Sequence, residues 1–369
     1  MTSSPQLRSV RPSEIDDLIE LFCSVYSPHA HDRYRGYIEG DPTWRPEHNP
    51  VAVVDGRIVG ALRIWDRQLH VGETPVRIAG IGGVCTDPDF RGRGIASALT
   101  NRAQHFMSRE GFDLGLLFSW VPARFYRRLG WASIAVEAFA VTMQAHPPEK
   151  RNHDWVASPF SEQRDLDEVV DLYRRHNAGR SGTTLRPRPY WDWSPSRVRG
   201  VLPTTVFRHR DSDALGGYLN WELDEEETDR VWIHEIAWDE ERSGTLVAIT
   251  DFTIATAGET GRGVVAGEVP PTHAFVESLT RRGEGDAKLQ GDSSMMAWPV
   301  NVERLLAIVC PQAPTTTAAL PWDLLARLMF GESSWSEIAA VRRARGIDNT
   351  LDDKLFPRRE LIAWTPDHF

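Results

Sequence analysis

The sequence predicts an α/β protein made of two tandem mixed-sheet domains followed by a small mixed segment. Length points to more than one core, because 369 residues at about 150 per domain give roughly two to three domains. Composition points to a folded chain: 41% hydrophobic and 25% charged residues exclude wholesale disorder, collagen-like repeats and a disulfide scaffold. The third observation is a repeat of pattern, strand, amphipathic helix, then antiparallel strands, which opens the chain and starts again after residue 150.

Leu7 to Val10 reads as a short strand, and Ser13 caps a helix whose Ile15, Leu18, Ile19, Phe22 and Cys23 recur at helical spacing. Val51 to Val54, a tight Asp55-Gly56 turn and Ile58 to Trp65 form a hairpin signature, with Val76 to Thr86 as the next strand. Asp87-Pro88 stops that strand. A glycine-rich turn then opens a helix over Arg91 to Gly111, with an apolar stripe at Ile95, Leu99, Ala103 and Phe106. Leu114 to Phe118 reads as a buried strand, Pro122 to Leu129 as a short helix and Ala132 to Thr142 as another strand. The polar HPPEKRNH stretch sets the first domain at 1–150.

The second domain, 151–285, predicts a strand at Trp155 to Phe160, a helix at Glu162 to His176, strands at 204–209, 215–222 and 230–238, and a helix at 243–257. Its order resembles the first, but WDEERSGTLVAI stands where the first domain has its glycine-rich turn. A third domain, 286–369, follows the RRGEGDAKLQGD stretch, with helices expected at 301–309, 322–330 and 334–345 and a last strand at Leu361 to Thr365.

Net charge is −10 and no Lys/Arg run of five or more occurs, which argues against nucleic acid or an anionic membrane as the main partner and suits a cationic small molecule. Of the 42 basic residues only Lys150, Lys288 and Lys354 are lysines, and the arginines are spread along the chain as a base-composition bias would spread them. Cys23, Cys85 and Cys310 share no close spacing, so neither a disulfide set nor a zinc site is expected, and a reducing cytoplasm fits. The first residues lack an apolar signal core, and no run of about 18 apolar residues occurs.

The strongest local signal is Val84-Cys85-Thr86-Asp87-Pro88-Asp89-Phe90-Arg91-Gly92-Arg93-Gly94-Ile95-Ala96. Glycines at 92 and 94 let a backbone approach a ligand closely, and the first amides of the following helix form a positive end suited to a pyrophosphate. A bare R-G-R-G also fits a tight turn before a capped helix. A second motif follows at Ala123-Arg124-Phe125-Tyr126-Arg127-Arg128-Leu129-Gly130-Trp131. Strand, Arg-x-x-Gly-x-Ala turn, helix and second motif together resemble the GNAT superfamily of acetyl-coenzyme A-dependent N-acetyltransferases.

That resemblance implies that main-chain groups of Val84, Cys85 and Thr86 accept the pantetheine arm, that Arg91, Gly92, Arg93, Gly94, Ile95 and Ala96 hold the pyrophosphate, and that Tyr126 protonates the leaving thiolate. The alternative for Tyr126 is packing on the sheet beside Phe125. Trp120 stands where many members carry an asparagine, which suggests an aromatic wall near the acetyl group. The three-part organisation, and a chain that ends Trp364-Thr365-Pro366-Asp367-His368-Phe369, resemble the Eis (enhanced intracellular survival) family. In that family a C-terminal phenylalanine carboxylate is the general base, which implies the role for Phe369; the alternative is that Phe369 has no role. The same resemblance implies a homo-oligomer, a hexamer, and a third domain similar to sterol carrier protein, here shortened because only PQAPTTTAALP separates Cys310 from Trp322.

Trp44, Trp65 and Trp120 fall on or near segments that flank a GNAT substrate cleft and are candidate acceptor contacts. The His29/His31 pair and His234-Glu235 lack a third spaced ligand, so no metal is expected. The acidic run at 222–227 reads as a solvated hairpin. The expected function is acetyl transfer from acetyl-coenzyme A to an amine of a small molecule (aminoglycoside, polyamine or lysine-like) by direct attack. Cys85 has no evident base beside it for a covalent route. The alternatives are a non-catalytic acyl-coenzyme A-binding or regulatory protein and a lipid carrier built on the third domain.

Overall fold

A computed structural model describes residues 4–119, 123–143, 154–193, 203–224, 229–282, 286–292 (backbone only), 295–347 and 351–368. Chain order gives β1 (Gln6–Ser9), α1 (Ile15–Val25), α2 (His31–Glu39), β2 (Pro50–Val54), β3 (Arg57–Val71), β4 (Thr74–Thr86), α3 (Ile95–Glu110), β5 (Leu114–Phe118), α4 (Arg124–Arg127), β6 (Ala132–Ser133) and β7 (Val136–Thr142). Then come β8 (Trp155–Pro159), α5 (Glu162–His176), β9 (Thr184–Leu185), α6 (Arg188–Trp193), β10 (Thr204–His209), β11 (Leu215–Leu223) and β12 (Arg230–Trp238). A helix over Thr245–Glu259 leads to β13 (Val264–Gly267), a helix over Ala274–Arg282, β14 (Asp286–Asp292) and β15 (Met295–Pro299).

Two mixed sheets result. The first runs β1-β2-β3-β4-β5-β15-β6, with β9 added to β3, and the second runs β14-β7-β13-β12-β11-β10-β8. In each sheet one parallel pair sits among antiparallel neighbours, β4 with β5 and β12 with β13. Helix α3 covers one face of the first sheet through Ile95, Leu99, Ala103 and Met107, packed on Leu62, Ile64 and Ile81. On the opposite face α1 contributes Leu18, Ile19 and Phe22 against Val51, Val53 and Cys85.

Two strands lie across the residue boundaries that composition suggests. Val136–Thr142 pairs in the second sheet with β13 and β14, and Met295–Pro299 pairs in the first sheet with β5 and β6. The predicted strand Ala132 to Thr142 is therefore two strands, and the break has a local cause. Ile134 donates its last ladder hydrogen bond to Met295 O, and the next amide, Ala135, donates to the Glu332 carboxylate at 3.0 Å, which ends the pairing.

The segment beyond Pro299 has helices at Val302–Val309, Trp322–Phe330 and Ala339–Ala344 and, among the described residues, no strand. Leu305, Leu325, Phe330 and Trp335 pack on Leu69, Val76, Leu114 and Leu116 of the first sheet, so this segment is a cap sharing that sheet's core. The strand expected at Leu361 to Thr365 is absent: Leu361 makes a single parallel bridge to Ser181, and Pro366, which has no N–H for a ladder, lies in a 3-10 turn over Thr365–Asp367. Ile362 and Trp364 are buried in the second sheet's core, each burial stabilising by about 1.5–3 kcal/mol.

Candidate active site

β4 and β5 pair from Ile78↔Leu114 to Ile81↔Leu117 and then part, while β4 continues alone on that side through Gly82–Thr86. Past Thr86 the Asp87 carboxylate accepts from the Asp89 amide at 2.9 Å and from Arg57 at 2.5 Å, which fixes the exit from the strand. Gly92 and Gly94 follow at φ +76° and +78°, left-handed values that L side chains rarely adopt, with open space where a Cβ would lie. Gly94 is the N-cap of α3. The first amides of that helix have no intrahelical acceptor and carry the positive end of its dipole, an arrangement suited to an anion such as a pyrophosphate. The expected phosphate residues, Arg91 to Ala96, are thus gathered at one turn. Arg91 Nε donates to Thr86 O at 3.3 Å, and Arg93 donates to Asp89 O at 3.0 Å while stacking over Phe90.

Between the parted strands, the Val84 carbonyl accepts the Tyr26 hydroxyl at 2.7 Å. Of the expected pantetheine contacts, the carbonyls of Val84 and Thr86 are therefore each held by a side chain, from Tyr26 and Arg91. Nothing in the sequence around Tyr26 flagged it. The Cys85 thiol is buried, which pushes it up to about 12, so it stays protonated at neutral pH and is no nucleophile. Tyr126 on α4 is 5% exposed, edge-on to Phe125, and hydrogen-bonded with Ser119 just past β5. Burial pushes its phenol up to about 12, which leaves it protonated and able to donate.

The second sheet repeats the geometry without the phosphate turn. β12 and β13 pair from Arg230↔Val264 to Ile233↔Gly267, β12 continues through His234–Trp238, and a single left-handed Gly244 caps the next helix. The C-terminal turn packs against β12 where these strands part. There Arg186 donates to both Asp367 (2.9 and 2.8 Å) and Glu235 (3.1 and 2.5 Å), while the Tyr190 and Tyr218 hydroxyls donate to Asp367 and Glu235. All five side chains are buried, and Trp364 Nε1 adds a bond to Asn177 Oδ1 at 2.8 Å.

From that anchor the tail reaches back to the first sheet. The His368 ring lies flat on Phe118, the last residue of β5, with centroids 3.8 Å apart and planes at 16°. Its Nε2 lies 3.2 Å from Ala363 O and 3.5 Å from Glu268, the residue after β13, which also accepts from Thr365 Oγ1. Phe369 and Trp120 lie outside the described residues.

Of the other candidate acceptor contacts, Trp65 lies on β3 opposite Gly80, beside the last β4–β5 pair. Trp65, on β3, is buried among Arg63, Tyr37 and Trp193, and Arg63 and Arg67 share the Asp41 carboxylate beside it. Trp44 donates to Asn49 Oδ1 at 2.8 Å and so ties the loop before β2. A cavity of about 600 Å³ opens between β3, β9 and α5, lined by Gln68, His70, Tyr173, Leu185 and Arg186. Because Gln68 pairs with Arg77 near the start of β4, this cavity lies toward the opposite end of that strand from the glycine turn. Among the described residues no group of three or more His, Cys, Asp and Glu is gathered for a metal, and no helix is long and apolar enough to cross a membrane.

Residues 6–134 match the acetyltransferase (GNAT) domain family. An uncharacterized N-acetyltransferase of Methanocaldococcus jannaschii is 29% identical over 144 residues, 34% of this chain and 59% of that relative's length. Eis1 from Mycobacterium abscessus superposes with a TM-score of 0.66 at 15% identity, over 99% of this chain and 100% of that one. A GCN5-related N-acetyltransferase from Anabaena variabilis gives 0.64 at 17% identity, over 82% and 75%. At these identities the two structural likenesses are likenesses of fold.

Proposed function

We propose, proceeding from the acetyltransferase (GNAT) domain that residues 6–134 form and from the Eis-like architecture of the whole chain, that this protein moves an acetyl group from acetyl-coenzyme A to an amine of a small molecule. The observation that carries the reading is the parting of β4 from β5, which leads directly into two left-handed glycines at the N-terminus of α3. An extended pantetheine amide chain would lie against the freed edge at Val84, Cys85 and Thr86, with its pyrophosphate on Arg91–Ala96. Tyr26 and Arg91 would then yield their hold on the two carbonyls.

In this reading the amine attacks the thioester directly, with no acyl-enzyme. Tyr126 gives its proton to the departing thiolate, and the terminal carboxylate of Phe369 accepts a proton from the attacking nitrogen. The position of His368 against Phe118 supports delivery of the chain end to this mouth. Acetyl-coenzyme A presented with a panel of polyamines, aminoglycosides and lysine tests the reading: coenzyme A release matched by an acetylated product mass supports it, and release with no amine in the panel overturns it. An acyl-coenzyme A-binding protein without transfer is the second reading, favoured by the burial of Tyr126 among Phe125 and Trp131. By analogy with the Eis family the protein assembles as a hexamer in the cytoplasm, which sedimentation at micromolar concentration tests for the assembly.

A further inference from the structure

An amine at neutral pH meets the enzyme as an ammonium, so two protons must leave its nitrogen before an amide exists. The reading above gives the terminal carboxylate one of them. We infer that His368, held by Glu268, accepts the other; this rests on that reading of the β4/β5 mouth as the place of transfer.

Three observations put the imidazole there. Its ring lies on Phe118, and Phe118 is followed by Ser119, the hydrogen-bond partner of Tyr126. Phe118 packs with the core on the face of the first sheet covered by the C-terminal helices, whereas Tyr126 belongs to the core on the α3 face. The proton donor and His368 therefore stand on opposite faces of the sheet with the parted strands between them, so the two groups can act on one thioester without occupying the same space. Lastly, Ala363 O and Glu268 both sit at Nε2. A carbonyl can only accept, so the Nε2 proton is fixed and the lone pair belongs to Nδ1. Glu268, from the end of β13, favours the imidazolium once it forms, and the Asp367 charge on the tail side is matched by Arg186.

The proton balance closes. Nδ1 takes one proton from the ammonium, and the free amine forms the C–N bond at the thioester carbon. The second N–H proton passes to the Phe369 carboxylate. The C–S bond breaks, sulfur takes the Tyr126 proton, and solvent reprotonates the phenolate. His368 and the carboxylate release their protons, so one proton appears per amide formed.

The test compares wild type, His368→Gln and Glu268→Gln with acetyl-coenzyme A and spermidine, following kcat/KM from pH 5.5 to 9. Without its base, His368→Gln is expected to lose about 10²-fold at neutral pH, and to regain rate as spermidine deprotonates at high pH. Glu268→Gln should keep the shape of the profile with its acidic limb displaced to lower pH, since the imidazolium loses its partner. Calorimetry of acetyl-coenzyme A with each variant separates lost chemistry from a lost fold. A wild type that acetylates spermidine alongside a His368→Gln enzyme with the same rate and profile overturns the inference alone. A wild type inert toward spermidine and toward the whole amine panel overturns the functional reading with it.

Discussion

Arg186 holds Asp367 through Nε and Nη2 at 2.9 and 2.8 Å, and the same guanidinium holds Glu235 of β12, so one buried cation ties the chain's last turn to the second sheet. Breaking such a set by removing one member leaves uncompensated charge in a dry site, at a cost of about 3–5 kcal/mol. Arg186→Met should therefore destabilise the protein by that order in denaturant titration and reduce amine acetylation, with acetyl-coenzyme A affinity nearly unchanged. Equal losses of affinity and turnover would mean that the tail does not act at the mouth of β4 and β5.

Gly94→Glu should weaken acetyl-coenzyme A by tenfold or more in calorimetry. The substituted residue must hold φ +78°, which costs roughly 1–2 kcal/mol for an L residue, and it brings a negative charge to the helix end proposed for the pyrophosphate. Gly94→Asn, which tolerates the left-handed region, should lose less. Unchanged affinity in a folded Gly94→Glu protein would remove the phosphate site from this turn.

Tyr126→Phe should lower kcat by about 10²–10⁴-fold where chemistry limits turnover, with coenzyme affinity retained, because only the donating hydroxyl is lost. The phenol's position at about 12 means no titration of this group below pH 9, so the wild-type basic limb should not come from Tyr126. Single-turnover transfer at the wild-type rate would assign the residue to packing beside Phe125 and Trp131.

Acid should destabilise the fold well above the carboxylate range. Burial and the neighbouring Arg63 and Arg45 pull His48 down to about 4, and burial pulls His273 down to about 3. Both are neutral in the native state, while the unfolded chain binds their protons from about pH 6.5 downward. Below that pH the unfolded state holds more protons, so stability falls as pH falls toward the folded values and is recovered above 6.5. A thermal midpoint that declines steadily from pH 6.5 to 4 in wild type, and less steeply in His48→Gln, is the expected result. A flat profile over that window would contradict it.

What the sequence made legible follows from how local each feature is. The glycine turn could be read because a left-handed φ is written into residue identity at 92 and 94, and α3 because its apolar stripe is internal to the helix. The exchange of Val136–Thr142 and Met295–Pro299 between sheets was not legible, since an alternating strand looks the same whichever sheet pairs with it. The contacts of the tail were hidden because they form only between segments far apart in the chain. Glu268, Arg186 and His368 are ordinary polar residues until the C-terminal turn lodges beside β12 and sets them together. Motif reading of the first domain could not have found Tyr26 either, because its tie to Val84 depends on where α1 ends against the sheet.

The chain end gives the most discriminating experiment. Deleting Asp367 to Phe369 is a poor test, because it takes the shared carboxylate partner away from buried Arg186 and Tyr190 and would lower activity through the fold alone. Appending residues after Phe369 is better: Trp364, Asp367 and His368 keep their contacts, while the terminal acid becomes a neutral amide. If that carboxylate receives the second amine proton, a C-terminally tagged protein should bind acetyl-coenzyme A like the untagged one and melt at the same temperature. Its kcat/KM toward the amine should fall by about 10²-fold or more. The tagged protein should still show the acidic limb attributed to His368, whereas untagged His368→Gln should not, so the two proton acceptors separate by pH profile. A tagged enzyme with wild-type kcat/KM would exclude the terminal carboxylate and leave the Glu268–His368 pair to take both protons in turn.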